Sequence, residues 1–133
     1  MTMAMADLRK NDMMAHLADA LSDGKDVGQY GRLVFAMVAR HFLSENELVK
    51  LLSKDKSFGE DDARRLVTQV QSRDYNPPKR EKVLEYLRQQ NFPICPNADD
   101  PDACNVYRDL TFPEGVYARI NEYYQQKAEA GRN

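Results

Sequence analysis

The sequence predicts an all-α, single-domain bundle of about six to seven helices, irregular or orthogonal in layout. Three observations carry that expectation. Apolar residues recur at i, i+3, i+4 and i+7 in one segment after another. Caps and first-turn prolines punctuate the chain where helices start. No alternating run of β-branched residues marks a strand. The 133 residues, 42% hydrophobic and 30% charged, suit one domain with its own core. The expected domain is therefore 1–133, with residues 1–6 disordered.

The first helix is expected from Asp7 to Ser22, with Met14, Leu17, Ala18 and Leu21 on its buried stripe and Gly24 stopping it. The second spans Val27 to Phe42. Its run Leu33 to Ala39 is apolar all round, which predicts a central helix with Leu33, Val34, Met37 and Val38 in the core. The third starts at Ser44 and reaches Lys54. Glu47 stands three residues after Ser44, so the pair reads as a capping box, and Leu43 and Leu48 read as its hydrophobic staple.

A loop then leads into a fourth helix from Glu60 to Ser72. Three acidic residues occupy its first turn, where the helix dipole favours them, and Ala63, Leu66, Val67 and Val70 form its stripe. The fifth is expected to open with Asn76 as cap and Pro77 first, and to end near Gln90. FPICPNA reads as extended. A short helix follows, capped by Asp100 with Pro101 first. A last one runs from Phe112 to Ala128, with Thr111 and Glu114 as a second capping box.

Charge narrows the function classes only slightly. Nineteen Lys and Arg face 21 Asp and Glu, a net charge of −2, whereas non-specific nucleic-acid binders carry a basic excess. The longest apolar run, Leu33 to Ala39, is far short of the roughly 20 residues that span a bilayer. Two Cys and no signal-like segment read as a reducing, bacterial cytoplasm.

Motifs for chemistry are sparse. Cys95 and Cys104 lie in a C-x8-C spacing, unlike the close pairs of zinc sites, and His16 and His41 fall on separate helices. The NADDPD run lacks the Gly and Glu of a calcium loop. No phosphate-binding glycine motif, GxSxG or HExxH occurs. The expectation is no cofactor, no metal and no catalytic residue. Cys104 falls in the first turn of its expected helix, where a dipole lowers a thiol pKa, beside Asp100 and Asp102, which oppose it. Cys95 and Cys104 form a candidate redox pair, expected as free thiols that bridge on oxidation. His16 reads as a group on a solvated, charged face and His41 as a core-edge imidazole bonded to a terminal carbonyl.

Two binding surfaces stand out. From Ala63 to Asn91, Arg64, Arg65, Arg73, Lys79, Arg80, Lys82 and Arg88 face only Asp74, Glu81 and Glu85 (net +4), while residues 92–115 carry the opposite excess. The terminal helix carries Tyr117, Tyr123 and Tyr124 around an apolar stripe, and tyrosine is enriched at interfaces. The expected function is therefore a small non-enzymatic adaptor or regulator. It would bind a protein partner or a second copy of itself through those tyrosines. The alternative is a nucleic-acid-binding regulator using Arg64, Arg65, Lys79 and Arg80. The third and fourth helices have the order of a helix-turn-helix, but SKDKSFG between them exceeds the three or four residues of its turn.

Overall fold

The computed structural model describes residues 3–96, 99–100, 104–118 and 120. Its regular elements are all helices, with no strand among the described residues. The order is α1 (Met3–Leu8), α2 (Asp12–Ser22), α3 (Gly28–Ala39), α4 (Glu45–Leu52), α5 (Glu60–Ser72), α6 (Arg80–Leu87) and α7 (Val106–Asp109). A last helix, α8, begins at residues 114–118.

The single helix expected from Asp7 to Ser22, after a disordered start, is corrected. Residues from Met3 onward are already helical, and the fully buried Leu8 anchors α1. The chain breaks at Asn11, whose extended backbone lets Oδ1 accept the Met14 N–H at 3.1 Å. A side chain that caps a new helix competes with continuation of the old one. The Asn11 amide also donates to Asp109 Oδ2 at 3.0 Å, tying this break to α7.

Helix α3 is central, packing on α2, α4, α5 and α6. Val34 and Val38 are fully buried as expected, together with Phe35, the largest side chain wholly inside the core. Met37 is buried too, but in a small satellite cluster with Ala36 and Val70; Leu33 is corrected outward, only partly buried against that cluster. The helix stops at Ala39, three residues before Phe42, where the N–H groups of His41 and Phe42 bond the carbonyls three residues back, at 3.3 and 2.9 Å, and tighten the chain into a turn. That turn buries Leu43 and leaves Ser44 free to cap α4.

The capping box is present. Ser44 Oγ accepts the Glu47 N–H at 3.2 Å and Glu47 Oε1 accepts the Ser44 N–H at 3.1 Å. Helix α5 occupies Glu60–Ser72, the expected bounds. Helix α6 is shorter than expected and starts at Arg80, not Pro77. The cause is Pro78. A residue before proline is pushed out of the helical region, so Pro77 cannot open the helix. Asn105, not Asp100, caps α7, its Oδ1 accepting the Arg108 N–H at 3.3 Å. Helical backbone in α8 starts at Glu114, so Thr111 lies too early to be its cap. The part expected from residue 121 to Ala128 lies outside the described residues, as does Pro101.

Free thiols are also corrected. Cys95 and Cys104 are joined as a disulfide with Cα atoms 5.8 Å apart, inside the roughly 7 Å a bridge allows. Cys104 precedes α7 in a left-handed conformation (φ 68°), so no helix dipole acts along its thiol. No described helix is long and apolar enough to cross a membrane.

One polar tie spans the fold. At the N-terminus of α3 the cap residue Val27 offers no capping side chain, and Asp26 takes only the first N–H, that of Gly28. Gln90 supplies a capping side chain from sixty residues away, its Oε1 accepting the Tyr30 N–H at 2.9 Å and its Nε2 donating to the Val27 carbonyl at 2.8 Å. Gly28 permits this approach. Its φ is +81°, and a Cβ there would lie 2.5 Å from Gln90 Oε1.

Candidate functional site: a tyrosine- and lysine-lined cleft

The extended Asn76-Pro77-Pro78 segment forms one wall of the site, and it is held at both ends. Upstream, Arg40 at the end of α3 donates to Asp74 Oδ1 at 2.9 Å and to the Tyr75 carbonyl at 3.0 Å. Asp74 takes a positive φ of 51° at this reversal. Downstream, the Tyr107 hydroxyl donates to the Pro77 carbonyl. Because the prolines offer no N–H there, the carbonyls are the wall's main handles.

The opposite wall is aromatic. Phe112 is buried and meets Tyr107, Phe42 and His41 at ring separations of 5.4, 5.7 and 5.7 Å. Tyr117 lies edge-on to the same ring at 6.4 Å, and its hydroxyl accepts the Phe112 N–H at 3.0 Å. Its ring is 36% exposed, the one large hydrophobic side chain classed as exposed among the described residues.

Between these walls lie two adjoining hollows. One, of 450 Å³, is lined by Lys79, Arg80, Asn105, Tyr107 and Tyr117. The other, of 570 Å³, is lined by Met37, Pro77, Pro78, Lys82 and Tyr86. Lys79, Glu81, Tyr107 and Ile120 line both, so the two make one cleft along the start of α6. Arg80 is oriented by a bond from Nη2 to the Asp100 carbonyl at 3.2 Å. Lys82 pairs with Glu85 at 3.4 Å and lies 5.2 Å from the Tyr86 ring centre, while Tyr86 stacks on Tyr30 at 4.8 Å. The lining is thus mixed: flat rings and prolines for apolar contact, with the cations Lys79, Arg80 and Lys82 and the carboxylates Glu81 and Glu85 among them.

The residues expected to bind a partner are divided by the structure. Tyr117, Lys79 and Arg80 come together here. Tyr123 and Tyr124 lie outside the described residues. Arg64 and Arg65 face elsewhere. Arg64 pairs with Glu60 at 2.7 Å and Arg65 with Asp62 at 3.4 Å, and each lines a separate hollow. His16 is corrected from a solvated group: its ring stacks on Phe92 at 5.3 Å and its Nε2 lies 2.8 Å from the Pro93 carbonyl. His41 is at the core edge, against Phe112.

Tyr107, one of the four residues that line both hollows, carried no signal in the sequence. It sits in a four-residue helix too short for periodicity to place. Among the described residues no group of three or more His, Cys, Asp and Glu side chains is gathered to hold a metal. Comparison with family models, curated proteins and solved structures found no match.

Proposed function

We propose that this chain is a non-enzymatic binding protein, an adaptor or regulator, that takes an extended segment of a protein partner into the cleft along α6. The supporting observation is that Tyr117 and the cations Lys79 and Arg80 line one hollow with Tyr107. Rigid aromatic rings give contact area at little entropic cost, and in that hollow Lys79 and Arg80 outnumber the one carboxylate, Glu81, which favours an acidic group on the partner. A segment with acidic and apolar side chains fits that lining. The bacterial, cytoplasmic setting read from the composition belongs to the same proposal.

The test is site-specific cross-linking in native lysate. A photoreactive residue replaces Tyr117, and in a control chain it replaces Gln71, which is exposed on α5. The expected result is a discrete protein adduct at position 117 that is missing at position 71 and is weakened by Lys79→Glu. Equal labelling at both positions, or none at 117, would overturn the proposal. An adduct of twice the chain mass would identify the partner as a second copy.

A nucleic-acid-binding function would need Arg64, Arg65, Lys79 and Arg80 on one surface. The first two are paired with carboxylates and line other hollows. We expect no retention on a duplex DNA column at physiological salt. Retention with a salt slope that falls by about 1 on replacing Arg64 would restore that alternative.

A further inference from the structure

We propose that the Cys95–Cys104 disulfide is a redox latch that holds the Tyr107 wall of the cleft in place. The inference rests on reading the cleft as a binding surface, and its test needs no partner.

The bridge joins a segment packed into the core to one whose helix, α7, is only four residues long. On the Cys95 side, Gln90 caps α3, Phe92 stacks on His16, and Ile94 is fully buried. On the Cys104 side the chain is left-handed, a conformation L-residues adopt only when their surroundings hold them there. It then enters α7, four residues long, which carries Tyr107 into the cleft. A helix that short has no stability of its own. Contacts that also hold α7 include the Asn11–Asp109 hydrogen bond, the Tyr107–Pro77 bond, the Tyr107–Phe112 ring contact and the burial of Val106. By contrast, α2, α3, α4 and α5 pack directly on one another without using the bridge.

The chemistry is thiol–disulfide exchange. A thiolate of a dithiol reductant attacks one sulfur, the Cys95–Cys104 bond breaks, and a mixed disulfide forms. The reductant's second thiol then displaces the protein. Two electrons and two protons have passed to Cys95 and Cys104, and the reductant leaves as its own disulfide. Both cysteines are almost wholly buried, at 3% and 2% exposure, so the reductant acts on the transiently opened loop. Once the thiols are free, the loop-closure entropy lost with the bridge favours detachment of Cys104, and of α7 beside it, by about a hundred-fold.

Hydrogen exchange on the full chain tests this, comparing air-oxidised protein with protein kept in dithiothreitol. We expect amides of residues 104–110 to exchange about a hundred-fold faster when reduced, those of α4 and α5 to be unchanged, and reoxidation to restore protection. A Cys95→Ala/Cys104→Ala variant should match the reduced protein. Three results would overturn the latch: thiols that never bridge in air, no change at 104–110, or equal acceleration through α4 and α5. The last would make the bridge a staple for the whole fold. A failed cross-link at Tyr117 with a positive exchange result would remove the partner reading and leave the latch standing.

Discussion

Gln90 and Gly28 meet at the start of α3, where the cap residue Val27 has no polar side chain. Removing the amide in Gln90→Ala leaves the Tyr30 N–H without its acceptor, and we expect a loss of about 1–2 kcal/mol in urea unfolding. Gly28→Ala should cost more, because left-handed strain adds to a collision with Gln90. In a Gln90→Ala background the collision is gone, so Gly28→Ala should then add only about 1–2 kcal/mol. Strict additivity of the two changes would contradict this geometry. Asp26 lies at the same helix start. Its carboxylate accepts the Gly28 N–H at 2.8 Å and pairs with Arg32 at 2.8 Å, and those two contacts hold its pKa below the ordinary 3.8. A depressed carboxylate stabilises the fold above its unfolded pKa, and that contribution disappears as the pH falls through the folded value. Acid titration of stability should therefore show a shallower decline below pH 3.8 in Asp26→Asn than in the wild type. Equal slopes would mean that the contact has no part in acid stability.

At the scale of elements, local signals placed α4 and α5 well and failed where a tertiary or neighbouring constraint intervened. The Ser44 box is self-contained, so Ser44→Ala should destabilise by about 1 kcal/mol, as measured by thermal melting. Helix α6 starts late because Pro77 is followed by Pro78, a constraint readable from sequence once both prolines are weighed together. The break at Asn11 has a weaker local signal, since its cap is reinforced by Asp109, 98 residues away. Phe112 and Tyr117 touch but should respond differently to truncation. Phe112→Ala empties the buried centre of the aromatic cluster and should cost about 3–5 kcal/mol. Tyr117→Phe removes one hydrogen bond to the Phe112 N–H and should cost about 1 kcal/mol, leaving a folded chain in which cleft binding can be measured. A Tyr117→Phe loss as large as that of Phe112→Ala would make Tyr117 structural and weaken the cleft proposal.

At the scale of the molecule, α3 is the hub. It packs on α2, α4, α5 and α6, and Phe35 lies wholly inside. Phe35→Ala should therefore lower stability by about 3–5 kcal/mol, and by more than any single truncation in the Leu33 and Met37 cluster. The cleft stands outside this hub, built from segments whose own helices are short or irregular. Its walls are held through Arg40 and Tyr107, each bonding a stretch thirty or more residues away. Site residues were legible only where chemistry alone flagged them: Tyr117 as one of the tyrosines of the terminal helix, Lys79 and Arg80 as part of a basic segment. Tyr107 and the Pro77–Pro78 wall were not, because their importance lies in what they face.

The sequence by itself determined the helical class, the α4 capping box, the bounds of α5 and the burial of the α2 stripe. Each rests on periods of 3.6 residues and on caps within one turn, which are local quantities. Only the tertiary structure decided that Gln90 caps α3, that Cys95 bonds Cys104, and that Arg64 and Arg65 lie apart from Lys79 and Arg80. Composition counts charges along the chain, but whether two of them share a surface depends on how the helices cross. Helix crossings are set by the packing of the whole core, a property no short window of sequence contains.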